Sequence, residues 1–120
     1  MQKNTDEQRQ YKRFLVKQNT SFVVNPVWPQ MGEMVDISPG GFSVVYRSKE
    51  PWPVDDGQQH MIFGANDSCL SDMPVNMVAD LIVSSSDEVK RRRCFKFGQI
   101  TDQQRFLIDC FIWINGVSEC

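Results

Sequence analysis

The sequence has little of the chemistry that metal sites and hydrolytic active sites need. It contains a single histidine, His60, and its four cysteines include no pair at CxxC spacing. Zinc sites draw on clusters of both residue types, so the sequence disfavours a zinc site. A hydrolytic site built on Asp36 and Ser38 would also need a general base with a partner, and the sequence offers none. We therefore predict that the protein is not an enzyme.

The chain also lacks long apolar segments and a strong net charge. No apolar run approaches the roughly 18 residues that a membrane span requires, and the first residues do not resemble a secretion signal. We therefore expect a cytoplasmic protein with reduced cysteines and no membrane insertion. A formal net charge of -2 disfavours binding to a nucleic acid polymer, which needs a basic field.

What the sequence does contain is a series of short β-like runs and one amphipathic segment. A length of 120 residues with 41% hydrophobic and 23% charged residues fits one globular domain. The β-like runs are 22–24, 33–37, 42–47, 60–64, 75–83 and 89–97, with turn residues between them. The pattern predicts a mostly β protein, an antiparallel barrel with a helix across one end.

The helix is predicted to begin at Thr101. Thr101 and Gln104 have the spacing of a capping box, and Gly116 is placed to end the helix. The predicted apolar face carries residues at helical spacing: Phe106, Leu107, Cys110, Phe111 and Ile114. This face either closes the barrel or contributes to a dimer contact.

The central feature of the sequence is a polar turn between two strand-like runs. Pro39 and the glycines Gly40 and Gly41 favour a reversal of the backbone, with positive φ available to a glycine. Asp36 and Ser38 lie two residues apart, on the same side of a strand end. They either bond to local backbone amides or offer an acceptor and a hydroxyl to a ligand.

Two basic clusters stand out in this acidic protein. Arg9 and Arg13 are separated by three residues, so that in a helix, or in an extended arm, both guanidiniums can converge on an anion. The alternative is a solvated basic arm. Lys90–Arg93 opens the last strand, where it forms either a charged edge that discourages aggregation or a supporting ligand contact. Local positive patches favour a small anionic ligand.

The order of these elements resembles the signature of PilZ domains, which are receptors for the bacterial second messenger cyclic di-GMP. The resemblance rests on Arg9-x-x-x-Arg13, then Asp36-x-Ser38-x-x-Gly41 leading into an apolar strand, and a C-terminal block from Arg93 to Phe97 followed by Ile100, Thr101, Asp102, Gln104 and Arg105. It spans most of residues 9 to 114. It implies a six-stranded antiparallel barrel with a C-terminal helix, in a PilZ domain over 9–120 preceded by a flexible tail at 1–8.

The resemblance also implies a function and a set of roles. Arg9 and Arg13 would bind phosphates and stack on guanine, and Asp36 would accept hydrogen bonds from a guanine edge. Ser38 would bond to guanine or phosphate, and Gly41 would allow close packing. Cyclic di-GMP would be a ligand rather than a cofactor, and its binding would change the surface offered to an unidentified protein effector. The chain itself would be a monomer or a homodimer.

Two other interpretations come from different functional classes. A PilZ-fold adaptor could bind a protein partner without nucleotide, although the intact motif residues count against it. A small oligonucleotide-binding barrel would need exposed aromatic residues interleaved with basic ones along its strands. Here the aromatic residues mostly occupy apolar periodic positions.

Overall fold

The computed structural model describes residues 12–17, 21–25, 30–53, 59–65, 68–85 and 87–119. The predicted tail at 1–8 and Arg9 lie outside these residues. Strands and one helix follow in this order in the described ranges: β1 (Phe14–Val16), β2 (Ser21–Asn25), β3 (Gln30–Ser38), β4 (Gly41–Arg47), β5 (Gln59–Ala65), β6 (Ser68–Ser84), β7 (Lys90–Phe97), α1 (Asp102–Asn115) and β8 (Gly116–Glu119).

Six of the strands close into an antiparallel barrel. They run in the order β2-β5-β6-β7-β4-β3, and β2 pairs with β3 to complete the ring. The long strand β3 pairs with β2 along its first half and with β1 along its second half. The short strands β1 and β8 extend the sheet outside the ring. The predicted six-stranded barrel with a C-terminal helix is confirmed.

The barrel interior follows from the alternation of apolar residues along β4 and β7. Phe42 and Val44 of β4 and Phe95 and Phe97 of β7 are buried in one cluster, so the residues between them face outward. The rings of Phe42 and Phe95 stack with centroids 5.0 Å apart. Burying one such side chain contributes roughly 1.5 to 3 kcal/mol, so these four positions fix which face of each strand turns inward.

A bulge in β3 determines which way Asp36 points. The pairing with β4 shifts between Met34 and Asp36, so that Val35 is the extra residue. Both Met34 and Ile37 can then face the core, where each is almost fully buried. Asp36, between them, turns to the outer face of the barrel. A strictly alternating strand would have had only one of the two apolar residues inside.

The strand β6 is longer than predicted. It begins at Ser68, in the stretch between the predicted runs 60–64 and 75–83, and its first half pairs with β5. Asp72 has a left-handed φ of 58°, a conformation that asparagine and aspartate tolerate better than most residues. One face of this half of the strand is open to solvent and carries polar residues. The sequence therefore did not indicate a strand here.

The start of α1 has the predicted capping box. The Thr101 hydroxyl oxygen accepts a hydrogen bond from the Gln104 amide at 3.0 Å, and the Gln104 side chain accepts one from the Thr101 amide at 2.8 Å. Two of the four unpaired donors at the helix start are thereby satisfied. Within the described part of the chain, no helix is long and apolar enough to cross a membrane.

The predicted packing face of α1 is largely wrong. Ile108 and Phe111 are the apolar residues that enter the core, whereas Phe106 and Ile114 are exposed. Phe111 lies against Phe63 of the barrel, with ring centroids 6.1 Å apart. The helix carries apolar residues on more than one side, so its spacing alone could not select the buried stripe.

Gly116 ends the helix as predicted, but for a different reason. With φ -73° and ψ 128° its backbone is extended, and the chain continues directly into β8. A Cβ at this position would lie 2.8 Å from the Ile112 carbonyl oxygen and 3.1 Å from Cβ of Phe14. Glycine is therefore required by the close packing of the helix end against β1.

The first half of β7 carries a buried polar cluster inside the barrel. Arg91 and Arg93 each donate to a different carboxylate oxygen of Asp80, both at 2.7 Å, and the Tyr46 hydroxyl donates to Asp80 as well. Arg93 also donates to the Trp52 carbonyl at 2.6 Å, and the Trp52 ring stacks on Tyr46. Because Arg91 and Arg93 are both paired with Asp80, these charged side chains can be buried.

The position of β7 corrects the prediction of a charged edge at Lys90–Arg93. The strand lies between β4 and β6 and is paired on both sides. Alternation separates its arginines, since Arg91 and Arg93 share the inward face with Phe95, while Arg92 faces outward. The basic run is thus divided between the barrel core and the outer surface.

Candidate ligand-binding site

The pairing of β1 with β3 brings the two halves of the predicted motif together. Phe14 lies opposite Ile37 and Leu15 lies opposite Asp36 in an antiparallel register. Continuing this register by one residue would set Arg13 opposite Ser38, on the outer face that carries Asp36. The strand β1 is only three residues long and was not predicted. Because Arg13 directly precedes it, the pairing of β1 with β3 determines the position of Arg13.

These residues line one cavity on the outside of the barrel. The cavity has a volume of about 540 Å³, and Arg13, Asp36, Ser38 and Gly41 all contribute to its wall. This volume lies in the range of small-molecule sites. The structure therefore brings together four of the five predicted site residues, and Arg9, the fifth, lies outside the described residues.

Asp36 is held on the outer face by two neighbouring side chains. Its Oδ1 accepts from the Ser43 hydroxyl at 2.9 Å, and its Oδ2 accepts from Arg92 Nη2 at 2.5 Å. Arg92 Nε donates in turn to the Ser43 oxygen at 3.2 Å, which closes a triangle. Each carboxylate oxygen has two acceptor sites, so the carboxylate can accept further bonds while its plane stays fixed.

Ser43 and Arg92 were not predicted as site residues, although a signal for Arg92 exists in the sequence. With Phe95 and Phe97 assigned to the core, alternation along β7 turns Arg92 outward and its neighbours inward. Of the three arginines in the basic run, this alternation places Arg92 on the outer face. Nothing comparable marks Ser43, whose role depends on β4 lying beside β3.

Ser38 is bonded within its own turn. Its hydroxyl oxygen accepts from the amides of Gly40 and Gly41, at 3.1 and 3.2 Å, and the hydroxyl donates to the Gly41 carbonyl at 3.3 Å. Of the two interpretations given above, local bonding thus describes Ser38 but not Asp36. The predicted contact of Ser38 with a ligand remains a prediction.

Gly41 is required by the neighbouring strand. A Cβ on this residue would lie 2.2 Å from the Phe95 carbonyl oxygen, closer than real Cβ atoms come to a non-bonded atom. Its φ is not in the left-handed region, so positive φ is not the reason for glycine here. Gly41 thus allows β4 and β7 to approach each other beneath the cavity.

Three basic residues contribute to the cavity from three different elements. Arg13 precedes β1, Lys96 belongs to β7 and Arg105 belongs to α1. Asp36 is the one acidic residue among the described residues that line the cavity, and it is already paired with Arg92. The cavity therefore presents a net positive charge and suits an anion.

Cys94 also lines the cavity. It lies opposite Ser43 on the outward face of β7 and is partly exposed. Cys69, Cys94 and Cys110 are all free thiols.

Comparison with known proteins gives matches in structure but not in sequence. No protein-family profile and no curated protein sequence matches the chain. The PilZ domain with c-di-GMP of YcgR from Escherichia coli superimposes with a TM-score of 0.68 at 12% identity, over 89% of this chain and 90% of that one. The chain has a PilZ-type fold.

Two further structures share this PilZ-type fold at low identity. MrkH, described as a c-di-GMP-dependent transcription regulatory factor, has a TM-score of 0.68 at 9% identity, over 88% of this chain and 50% of MrkH. PlzA from Borreliella burgdorferi, in complex with c-di-GMP, has a TM-score of 0.62 at 12% identity, over 94% of this chain and 56% of PlzA. The chain thus spans about half the length of both proteins.

Proposed function

We propose that this chain is a receptor for cyclic di-GMP, which it binds in the cavity beside the turn between β3 and β4. The observation that carries the proposal is the register of β1 on β3. It brings Arg13 next to Asp36 and Ser38 on one face of a PilZ-type fold. The proposal extends to residues 9–120 as the PilZ domain and to 1–8 as its flexible tail.

The ligand's chemistry matches the cavity's chemistry. Cyclic di-GMP has two phosphates, which need cationic forks, and two guanines, whose Watson-Crick edges present N–H donors. Arg13 and Arg9 supply forks that can also stack on a base, and the fixed carboxylate of Asp36 supplies an acceptor for a guanine edge. Ser38 and Gly41 shape the turn against which the ligand packs.

The proposed role is signalling rather than catalysis. Cyclic di-GMP binds as a signal, and the segment carrying Arg9 and Arg13 folds over it. Ordering this segment costs about 1 to 2 kcal/mol per residue, which the charge-assisted contacts offset. The changed surface then acts on a protein effector in the cytoplasm.

Calorimetric titration of the purified chain with cyclic di-GMP tests this proposal, with GTP as the ligand control. We expect saturable binding of cyclic di-GMP and none of GTP. Arg13→Ala and Asp36→Ala should each weaken binding at least tenfold, because each removes a charge-assisted contact of about 1.5 to 3 kcal/mol.

Arg47→Ala is the matched control variant. Arg47 is an exposed arginine of β4 that pairs with Glu88 and does not line the cavity. Its substitution should leave the affinity unchanged, and thermal unfolding should show that all three variants are folded. A folded wild-type chain that does not bind cyclic di-GMP would overturn the proposal and favour the adaptor without nucleotide.

A further inference from the structure

Arg105 reaches the cavity from a part of the chain that carries neither half of the predicted motif. It lies in the first turn of α1, where its amide donates to the Thr101 carbonyl at 2.9 Å. Its Nη1 donates to the Pro39 carbonyl at 2.5 Å, in the turn that follows Ser38. The capping box fixes the helix start, so the backbone that carries the Arg105 side chain is held in place.

The charges around the cavity exceed what Arg13 alone supplies. Arg105 and Lys96 add two cations, and the acidic residue that lines the described part of the wall is already paired with Arg92. A ligand with two phosphates needs cationic partners at two places. The inference that follows rests on the proposed function, because it assigns a contact to the same ligand.

We infer that Arg105 is a ligand-contact residue that binds a phosphate of cyclic di-GMP. A guanidinium presents its N–H donors as a planar fork that matches the geometry of a phosphate, and the bond from Nη1 to the Pro39 carbonyl fixes where this fork lies. Arg105 is partly buried and held by that bond, so it loses less side-chain entropy on binding than the exposed Lys96. Of these two cations, Arg105 is therefore the better placed to bind a phosphate.

Variants at position 105 separate this role from a merely structural one. Arg105→Ala removes both the charge and the bond to Pro39, Arg105→Gln keeps a donor but loses the charge, and Arg105→Lys keeps the charge but loses the fork. Titrations with cyclic di-GMP at low and high NaCl should show about ten- to a hundredfold weaker binding for the alanine and glutamine variants. The affinity of the lysine variant should lie between theirs and that of the wild type.

The salt dependence gives a second readout. Salt screens the attraction between a partly exposed cation and a phosphate, so the affinity of the alanine and glutamine variants should fall less with NaCl than that of the wild type. A role limited to anchoring the Pro39 turn would not change this dependence. Arg47→Ala should match the wild type at both salt concentrations.

The outcomes distinguish the two proposals. If the wild type binds and Arg105→Gln binds within twofold of it, Arg105 only anchors the turn and the inference is wrong, while the proposed function stands. If the wild type does not bind cyclic di-GMP, the proposed function fails and the inference fails with it. If Arg105→Ala does not fold, the lysine and glutamine variants carry the same comparison.

Discussion

Arg92 and Asp36, 56 residues apart in the sequence, form an ion pair on the outer face of the barrel. The Asp36 side chain is 6% exposed and that of Arg92 is 35% exposed, so the carboxylate is nearly enclosed while the guanidinium reaches solvent. Ser43 bonds to both. A buried carboxylate needs such a partner, so Arg92 stabilises Asp36 at the place where the proposed ligand would meet it.

Replacement of Arg92 should therefore destabilise the fold more than replacement of a surface arginine. Arg92→Gln should lower the free energy of unfolding by about 1 to 3 kcal/mol, because it leaves the Asp36 carboxylate without its charged partner. Arg47 pairs with Glu88, and both side chains are exposed. Arg47→Gln should therefore change the free energy of unfolding by less than about 0.5 kcal/mol. Urea unfolding measures both, and equal effects of the two substitutions would show that Arg92 does not support Asp36.

Gly41 and Gly64 form a matched pair of strand glycines. Gly41→Ala should lower the free energy of unfolding by about 1 to 3 kcal/mol, since its Cβ would overlap the Phe95 carbonyl oxygen. Gly64→Ala meets nothing within 4 Å and should be neutral, or stabilising by about 0.5 kcal/mol. Thermal unfolding of the two variants checks this, and a Gly41→Ala variant as stable as the wild type would contradict the close approach of β4 and β7.

The buried cluster around Asp80 should make the free energy of unfolding depend on pH in the acid range. Burial raises the pKa of Asp80, but the hydrogen bonds from Tyr46, Arg91 and Arg93 together outweigh burial and hold that pKa below its ordinary value of 3.8. A carboxyl with a lowered pKa in the folded state contributes stability above its unfolded pKa. The contribution is lost as the pH falls below about 4 and through the folded pKa.

Asp80→Asn isolates this contribution. At pH 7 it should lower the free energy of unfolding by about 3 kcal/mol, because Arg93 stays buried without a counter-charge. Between pH 7 and pH 3 the variant should lose less stability than the wild type, since it has no Asp80 carboxylate to protonate. Urea unfolding at the two pH values tests this. Equal losses of stability in both proteins would contradict the stabilising role of the Asp80 carboxylate.

Much of the fold was predictable because its signals are local. The turn at Pro39, the strands on either side of it and the capping box at Thr101 each depend on residues close in sequence, and all are present. The strands β1 and β8 could not be predicted, because such short segments gain their hydrogen bonds only from distant partners, as in the pair Val16 and Gly116.

The candidate site was predictable in its residue types but not in its interactions. The motif spacing identified Asp36 and Ser38, yet the partners of Asp36 come from β4 and β7 and depend on the barrel being closed. The core side of α1 was not predictable either, because apolar residues such as Trp113 occur on its solvent side as well as on its core side.

We propose that cyclic di-GMP binds in the cavity beside the turn between β3 and β4. Two-dimensional amide spectra of the labelled protein, recorded during titration with cyclic di-GMP and separately with GTP, report binding at this cavity residue by residue. We predict saturable shifts for Gly40, Gly41, Cys94 and Lys96 with cyclic di-GMP, small changes near Asp80, and none with GTP. Absence of saturable shifts, or shifts confined to the cluster around Asp80, would contradict the claim.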